Sequence, residues 1–230
     1  MIQKDRVINM CGCVSRRQFG FLLGGAMIAP HLSFAQDNTA IRALHGTLDI
    51  DSFKGKKAAR LSASTAKTIF TVGEDAFLTD DAFTADVEMD DEGLLASVRL
   101  LSGQALAVLK PLDGRNTKLL LPNATGSIRG TGFYVNADVS RPHNYICCCY
   151  GHISFQDATD GSKQEFKTSY HNATAINEKG DFVTPDFGFP YGHYDDELVL
   201  LESTVGRKPH WQLPDDKMHF LSPTALPVIG

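Results

Sequence analysis

Three consecutive cysteines, Cys147, Cys148 and Cys149, carry more potential chemistry than any other stretch of this 230-residue chain. Tyr150, Gly151 and His152 follow them directly. Thiolates suit zinc, copper(I) or iron–sulfur clusters, and an imidazole can complete such a shell. Cys147, Cys148, Cys149 and His152 are therefore the candidate metal ligands, with His143, His171, His193 and His210 as candidates from elsewhere. On a strand, Cys147 and Cys149 point to one face and Cys148 to the other. A disulfide within the run is disfavoured, because neighbouring cysteines close only with strain and an extended Cys147–Cys149 pair is awkward. Two other readings stand beside metal binding. In one, the thiols are redox-active or couple two chains. In the other, they are small apolar core residues. The spacing C-C-C-Y-G-H matches no established site.

No catalytic motif accompanies the cysteines. The chain lacks G-x-S-x-G, H-E-x-x-H, an EF-hand loop and C-x-x-C. Nothing places a nucleophile beside a base, so the expectation is a non-catalytic protein. The acidic groups Asp80-Asp81 and Asp90-Asp91-Glu92 read as solvated turns. With 22 Lys+Arg against 27 Asp+Glu, the net charge of -5 argues against a nucleic-acid partner.

The elements that must position these residues follow mostly a period of two. Phe83, Ala85, Val87 and Met89 alternate with Thr84, Asp86, Glu88 and Asp90, which predicts a half-buried strand. Leu94 to Leu101 and Gln104 to Leu109, separated by Ser102-Gly103, predict a hairpin, with residues 105–109 buried on both faces. Asp113-Gly114 predicts a turn towards Leu119. Further strands are expected at 68–72, 76–78, 132–135, 145–150, 152–155 and 165–170. Short strands with frequent turns indicate a mainly β fold, an antiparallel β-sandwich or roll. One segment differs. Asp195-Asp196-Glu197 leads into Leu198, Leu201 and Val205, then Gly206 and Pro209, which predicts a single C-terminal amphipathic helix of about three turns. Residues 207–230 read as an irregular tail, with Trp211 a candidate anchor to the core.

Ser15-Arg16-Arg17-Gln18-Phe19, the glycine-interrupted apolar run to Ile28 and the small-x-small end at Ala35 have the layout of a secretory signal of the twin-arginine type. The run is too short to span a bilayer. Cleavage after Ala35 is expected, which removes Cys11 and Cys13 and leaves a more acidic chain. The expected location is periplasmic or secreted. The twin-arginine (Tat) translocase is the expected partner in export, and no membrane-spanning segment is expected in the mature chain.

The stretch Leu119–Val135, containing Ile128-Arg129-Gly130-Thr131-Gly132-Phe133, resembles the FecR-like domain, the extracytoplasmic β domain of iron-dicitrate-type signalling regulators. Leu44–Leu48 and Thr68–Leu78 fit the same pattern, and the resemblance covers roughly residues 40 to 157. Cys149-Tyr150-Gly151 is similar to the end of a cysteine-rich strand in some exported members. The resemblance implies a FecR-like β domain at 36–206 after a signal at 1–35, with a binding, sensing or regulatory role and an envelope protein partner. Read as residues, Gly130 and Gly132 permit positive φ or close backbone approach. Arg129 and Thr131 are the candidate binding residues of this turn, beside the plainer reading of a structural turn. The alternative function is a small metal- or redox-cofactor protein built on the cysteine cluster.

Overall fold

The computed structural model describes residues 40–53, 55–111, 114, 116–137, 143–156, 161–185, 191–211 and 221–229. The expected signal at 1–35 lies outside these residues, as does Asp113 of the expected turn. The described residues belong to one unit, Ala35–Gly230. The strands are β1 (Ile41–His45), β2 (Leu48–Ser52), β3 (Ala58–Ala63), β4 (Thr68–Val72), β5 (Asp75–Thr79), β6 (Thr84–Met89), β7 (Leu95–Ser102) and β8 (Gln104–Val108). They continue as β9 (Thr117–Leu121), β10 (Ala124–Ile128), β11 (Gly132–Asn136), β12 (His143–Gln156), β13 (Lys163–Thr168), β14 (Asn172–Asn177) and β15 (Phe182–Val183). Among the described residues there is one helix, α1 (Asp195–Thr204). The protein is mainly β with a single helix, as the patterning predicts. None of its described helices is long and apolar enough to cross a membrane.

Two sheets share one strand. The first runs β1-β4-β5-β8-β11-β12-β14-β15, and the second runs β13-β12-β10-β9-β7-β6-β3-β2. Every pairing is antiparallel except β7 with β9. The sequence suggests two strands at 145–150 and 152–155, but the structure has one 14-residue strand, β12. Its first half pairs β11 and β14 in the first sheet, and its second half pairs β10 and β13 in the second. The change of sheet falls at Gly151, where φ is +96° and a Cβ would meet the Gly130 carbonyl and Thr131 at 2.7 Å. A side chain would both strain the backbone and collide there.

The expected hairpin at Ser102-Gly103 does not form. β7 pairs β6 and β9, whereas β8 pairs β5 and β11, so the chain passes from one sheet to the other at this corner. The physical reason is burial. Residues 105–108 are apolar on both faces, and only the first sheet covers both faces of a strand. Its inner face packs against the second sheet in a core containing Phe70, Phe77, Leu100, Phe133, Ile153 and Phe155. The outer face forms a separate core of Ile69, Leu78, Leu106, Val108, Tyr134 and Tyr145, closed by Leu198 and Leu201 of α1.

α1 matches its expected position. Glu197 accepts the Tyr194 amide at 3.1 Å, which caps the first turn. Lys67 pairs with Glu197 at 2.7 Å. The fully buried Leu198 and Leu201 contribute about 1.5–3 kcal/mol each by leaving water. After the helix, Arg207 ties the chain down. It donates to Glu202 at 2.6 Å, to the Glu74 carbonyl at 2.8 Å and to the Val108 carbonyl at 3.3 Å. The described part of the tail returns to the fold, with Trp211 edge-on to Tyr150 and Tyr170.

Gly151→Ala is expected to destabilise the fold by about 1–3 kcal/mol, since it adds left-handed strain and a clash at the sheet change. Chemical denaturation of the two proteins side by side measures this.

Candidate metal site

β12 is buried on both faces at its three cysteines, so the alternation of a strand sends them to different cores. Cys148 joins the inter-sheet core, where its sulfur lies 3.7 Å from the Thr131 hydroxyl and 3.7 Å from the Phe166 carbonyl. Cys147 and Cys149 face the outer core beneath the helix. There they meet two histidines supplied by connections between elements. His171 sits between β13 and β14, with φ of +27°. That backbone is uncommon for a residue with a side chain and costs energy, which makes the position a functional candidate. His193 immediately precedes the helix. Its neighbour Gly192 has φ of +75°, and a Cβ there would lie 2.2 Å from the Tyr134 hydroxyl. Glycine thus lets this segment cross Tyr134, whose ring stacks on His193 at 4.7 Å.

One ligand atom from each of Cys147, Cys149, His171 and His193 falls within 4.8 Å of every other, and all four residues are buried. The Cys147 sulfur lies 3.4 Å from His171 Nδ1, the Cys149 sulfur 3.4 Å from His193 Nε2, and the two nitrogens 3.3 Å apart. A tetrahedral zinc with ordinary bond lengths separates its ligand atoms by roughly 3.3–3.8 Å. Three of the six separations therefore lie at the spacing of a tetrahedral shell, and the others are within 4.8 Å.

The far side of each ring fixes its proton. His193 Nδ1 lies 2.8 Å from the Tyr191 carbonyl, which can only accept, so Nδ1 carries the hydrogen. His171 Nε2 lies 2.8 Å from Asp195, whose other oxygen accepts the Tyr170 hydroxyl at 2.9 Å. In the neutral rings, His193 Nε2 and His171 Nδ1 then turn their lone pairs toward each other and toward the thiols. Metal-binding histidines are usually held this way, with the outer nitrogen bonded to a carboxylate or carbonyl.

Electrostatics favour positive charge at this centre. Burial opposes ionisation of Cys147, but hydrogen bonding from Cys149, the charge of His193 and hydrogen bonds from both histidines carry the thiol well below its usual range. Cys149 moves the other way, raised by burial and by its hydrogen bond to, and repulsion from, the Cys147 thiolate. Burial also opposes protonation of His171, yet hydrogen bonds to Asp195 and Cys147 raise it to about 9. Cys148, buried in the other core, is pushed up to about 12.

The other sequence candidates lie elsewhere. His152 follows the sheet change and stands on the outer side of the second sheet, so its closeness in sequence to the cysteines is misleading. Cys148 is excluded from the cluster by strand alternation. His143 begins β12 opposite Asn177, and His210 is exposed in the tail. Thr131 is buried, with its hydroxyl donating to the Tyr150 carbonyl, so it holds the turn against β12 and is not open to a ligand. Arg129 is exposed and donates to Asn116 at 3.0 Å. Gly130 takes positive φ, +52°, whereas Gly132 serves by close approach, with the Tyr150 ring where its Cβ would be. Asp195, read from sequence only as a helix-start acid, is the group that orients His171. A cysteine pair sharing one strand face, with histidines lying beyond the next turns, was the available signal for this set.

Fold and site together define a mainly-β domain with a buried Cys2His2 constellation. A scan against known protein families finds no match for the chain, and no curated protein matches it. Two crystal structures of a protein from Parabacteroides distasonis, designated an anti-sigma factor, overlap it in part. They are 12% and 11% identical to it, each with a TM-score of 0.36 over 62% of this chain and 57% of theirs. The chain thus spans little more than half the length of those proteins.

Asp195→Asn is expected to bring His171 down from about 9, because its charge and hydrogen bond oppose the effect of burial. A histidine NMR titration of chelator-treated protein reads this. In that metal-free state, the His171 contribution to stability is complete below about pH 6.5. It fades as pH rises through about 9.

Proposed function

We propose that this chain is a non-catalytic, metal-binding β domain whose Cys147, Cys149, His171 and His193 hold one tetrahedral ion, zinc in the first place. One observation carries the reading. Two cysteine sulfurs and two histidine ring nitrogens converge within 4.8 Å in a buried site, with the outer nitrogen of each ring already held by an acceptor. Zinc fits the donor set and the charge. A divalent ion balances the charge of two thiolates, whereas copper(I) leaves one of them unbalanced in a buried site. A two-iron cluster with mixed ligands places thiolates and imidazoles on separate irons, which so small a sphere does not accommodate. Four protein ligands make a closed shell of the structural type, with no coordination position left for substrate.

The ion would fasten three segments to one another: β12, the turn before β14 and the residues leading into α1. The twin-arginine-type layout of the N-terminal stretch and the FecR-like motifs support, in our reading, a binding or regulatory role in the bacterial envelope. Export of an already folded chain suits a thiolate site, because the ion would enter while the cysteines are kept reduced.

The test is elemental analysis of the exported protein, purified without a His-tag or chelator. About one equivalent of metal is expected, lost in Cys147→Ser and in Cys149→Ser but kept in Cys148→Ser and His152→Ala. Since the first two variants alter fully buried side chains, cobalt(II) loading of the unaltered protein provides a second readout that needs no substitution, a tetrahedral spectrum with thiolate-to-cobalt charge transfer. Protein that takes up neither zinc nor cobalt, or that loses metal equally in Cys148→Ser, overturns the proposal. A lasting metal site also implies that Asp195→Asn weakens zinc affinity by about 10–100-fold in a chelator competition.

A further inference from the structure

A second candidate site lies past the cysteines, where β12 changes sheets at Gly151. The turn after β10 and the sheet change of β12 pack together there, with Thr131 bonded to the Tyr150 carbonyl and the Arg129 amide donating to the His152 carbonyl at 3.0 Å. They form the floor of an open cavity of about 560 Å³, which Lys167, Thr168, Ser169 and His210 also line. The strand register explains its charge. Ile128 pairs with Ile153, and Ile153 with Phe166, all pointing into the core. The next position along each strand points outward, and these are Arg129, His152 and Lys167, with His152 directly opposite Lys167. Three basic residue types therefore stand in one row across three neighbouring strands.

The row sets the positive charges of Arg129 and Lys167 on either side of His152, and like charges close together on a sheet repel. Among the described residues, no aspartate or glutamate lines the cavity, although the chain as a whole carries a net charge of -5. The exposed Glu165 carboxylate lies 3.6 Å from His152 Nε2, beyond hydrogen-bond reach. His152 Nε2 is itself shielded from solvent and has no hydrogen-bond partner. Among the described residues Lys167 makes no ion pair, and Arg129 donates through Nε to Asn116, which aims its guanidinium. The hydroxyls of Thr168 and Ser169 lie beside this row and can donate to an oxyanion.

We propose that this cavity binds a small oxyanion, a phosphate or a short dicarboxylate, between Arg129, His152 and Lys167. Arginine's planar fork matches the oxygens of either group. The anion would complete His152 Nε2 and relieve the repulsion along the row. The site is separate from the metal centre and does not depend on it.

Isothermal titration of the metal-loaded full chain with inorganic phosphate, and separately with malonate, tests this, against sodium chloride at equal ionic strength. Saturable one-to-one binding of at least one probe is expected, and which probe binds separates phosphate from carboxylate recognition. The double variant Arg129→Gln/Lys167→Gln should bind at least about tenfold more weakly. Both side chains are exposed, so its melting temperature and metal content should not change; those two readings exclude a folding defect. No saturable binding of either probe overturns the proposal. So does equal affinity in the double variant, or loss of binding to chloride at matched ionic strength.

Discussion

A strand buried on both faces cannot send three neighbouring side chains to one place. β12 is such a strand at Cys147, Cys148 and Cys149, and much of the molecule follows from it. Cys148 enters the core between the sheets. Cys147 and Cys149 are committed to the other side, where a second core must cover them. Burying two thiols with no disulfide partner leaves polarisable, ionisable groups that need other company. His171 and His193 supply it, and Asp195 and the Tyr191 carbonyl fix those rings in turn.

Covering that second core is the work of a ten-residue helix. A helix this short has marginal stability alone, so α1 depends on what it touches. Leu198 and Leu201 provide the apolar contact. The links at its ends provide position: Lys67 with Glu197 at the start, and Arg207 bridging Glu202 to the Glu74 and Val108 carbonyls at the finish. The residues next to the site belong to the same system, since His193 and Asp195 flank the helix N-cap. Ligand geometry and helix docking are therefore one structural problem. An ion held by these ligands would stabilise the helix in place, and a displaced helix would take two of the site's polar groups with it.

The two motifs that stand out in the sequence, I-R-G-T and C-Y-G-H, meet in space. The turn at Arg129–Thr131 is seated on the Gly151 bend of β12, where a Cβ would meet the Gly130 carbonyl and Thr131. The meeting turns β12 from one sheet into the other. It also assigns opposite faces to neighbouring residues, with Cys147 and Cys149 under the helix and His152 on the far side of the second sheet. The metal-like cluster and the basic cavity are thus two outcomes of a single bend.

The sequence by itself determined the class of the protein. Alternating apolar residues made the strands, an acidic start and an i, i+3, i+7 stripe made the one helix, and period two already separated Cys148 from its neighbours. It also supplied the right pool of histidines, His171 and His193 among them. Tertiary structure alone decided which of that pool converge, because both come from connections whose paths depend on rare backbone angles at His171 and Gly192. It decided that Ser102-Gly103 is a crossing between sheets and not a hairpin, because burial of β8 on both faces outweighed local turn chemistry. And it decided against His152. Three residues along a chain is a short distance, but the bend at Gly151 puts His152 in the other sheet, outside the cluster.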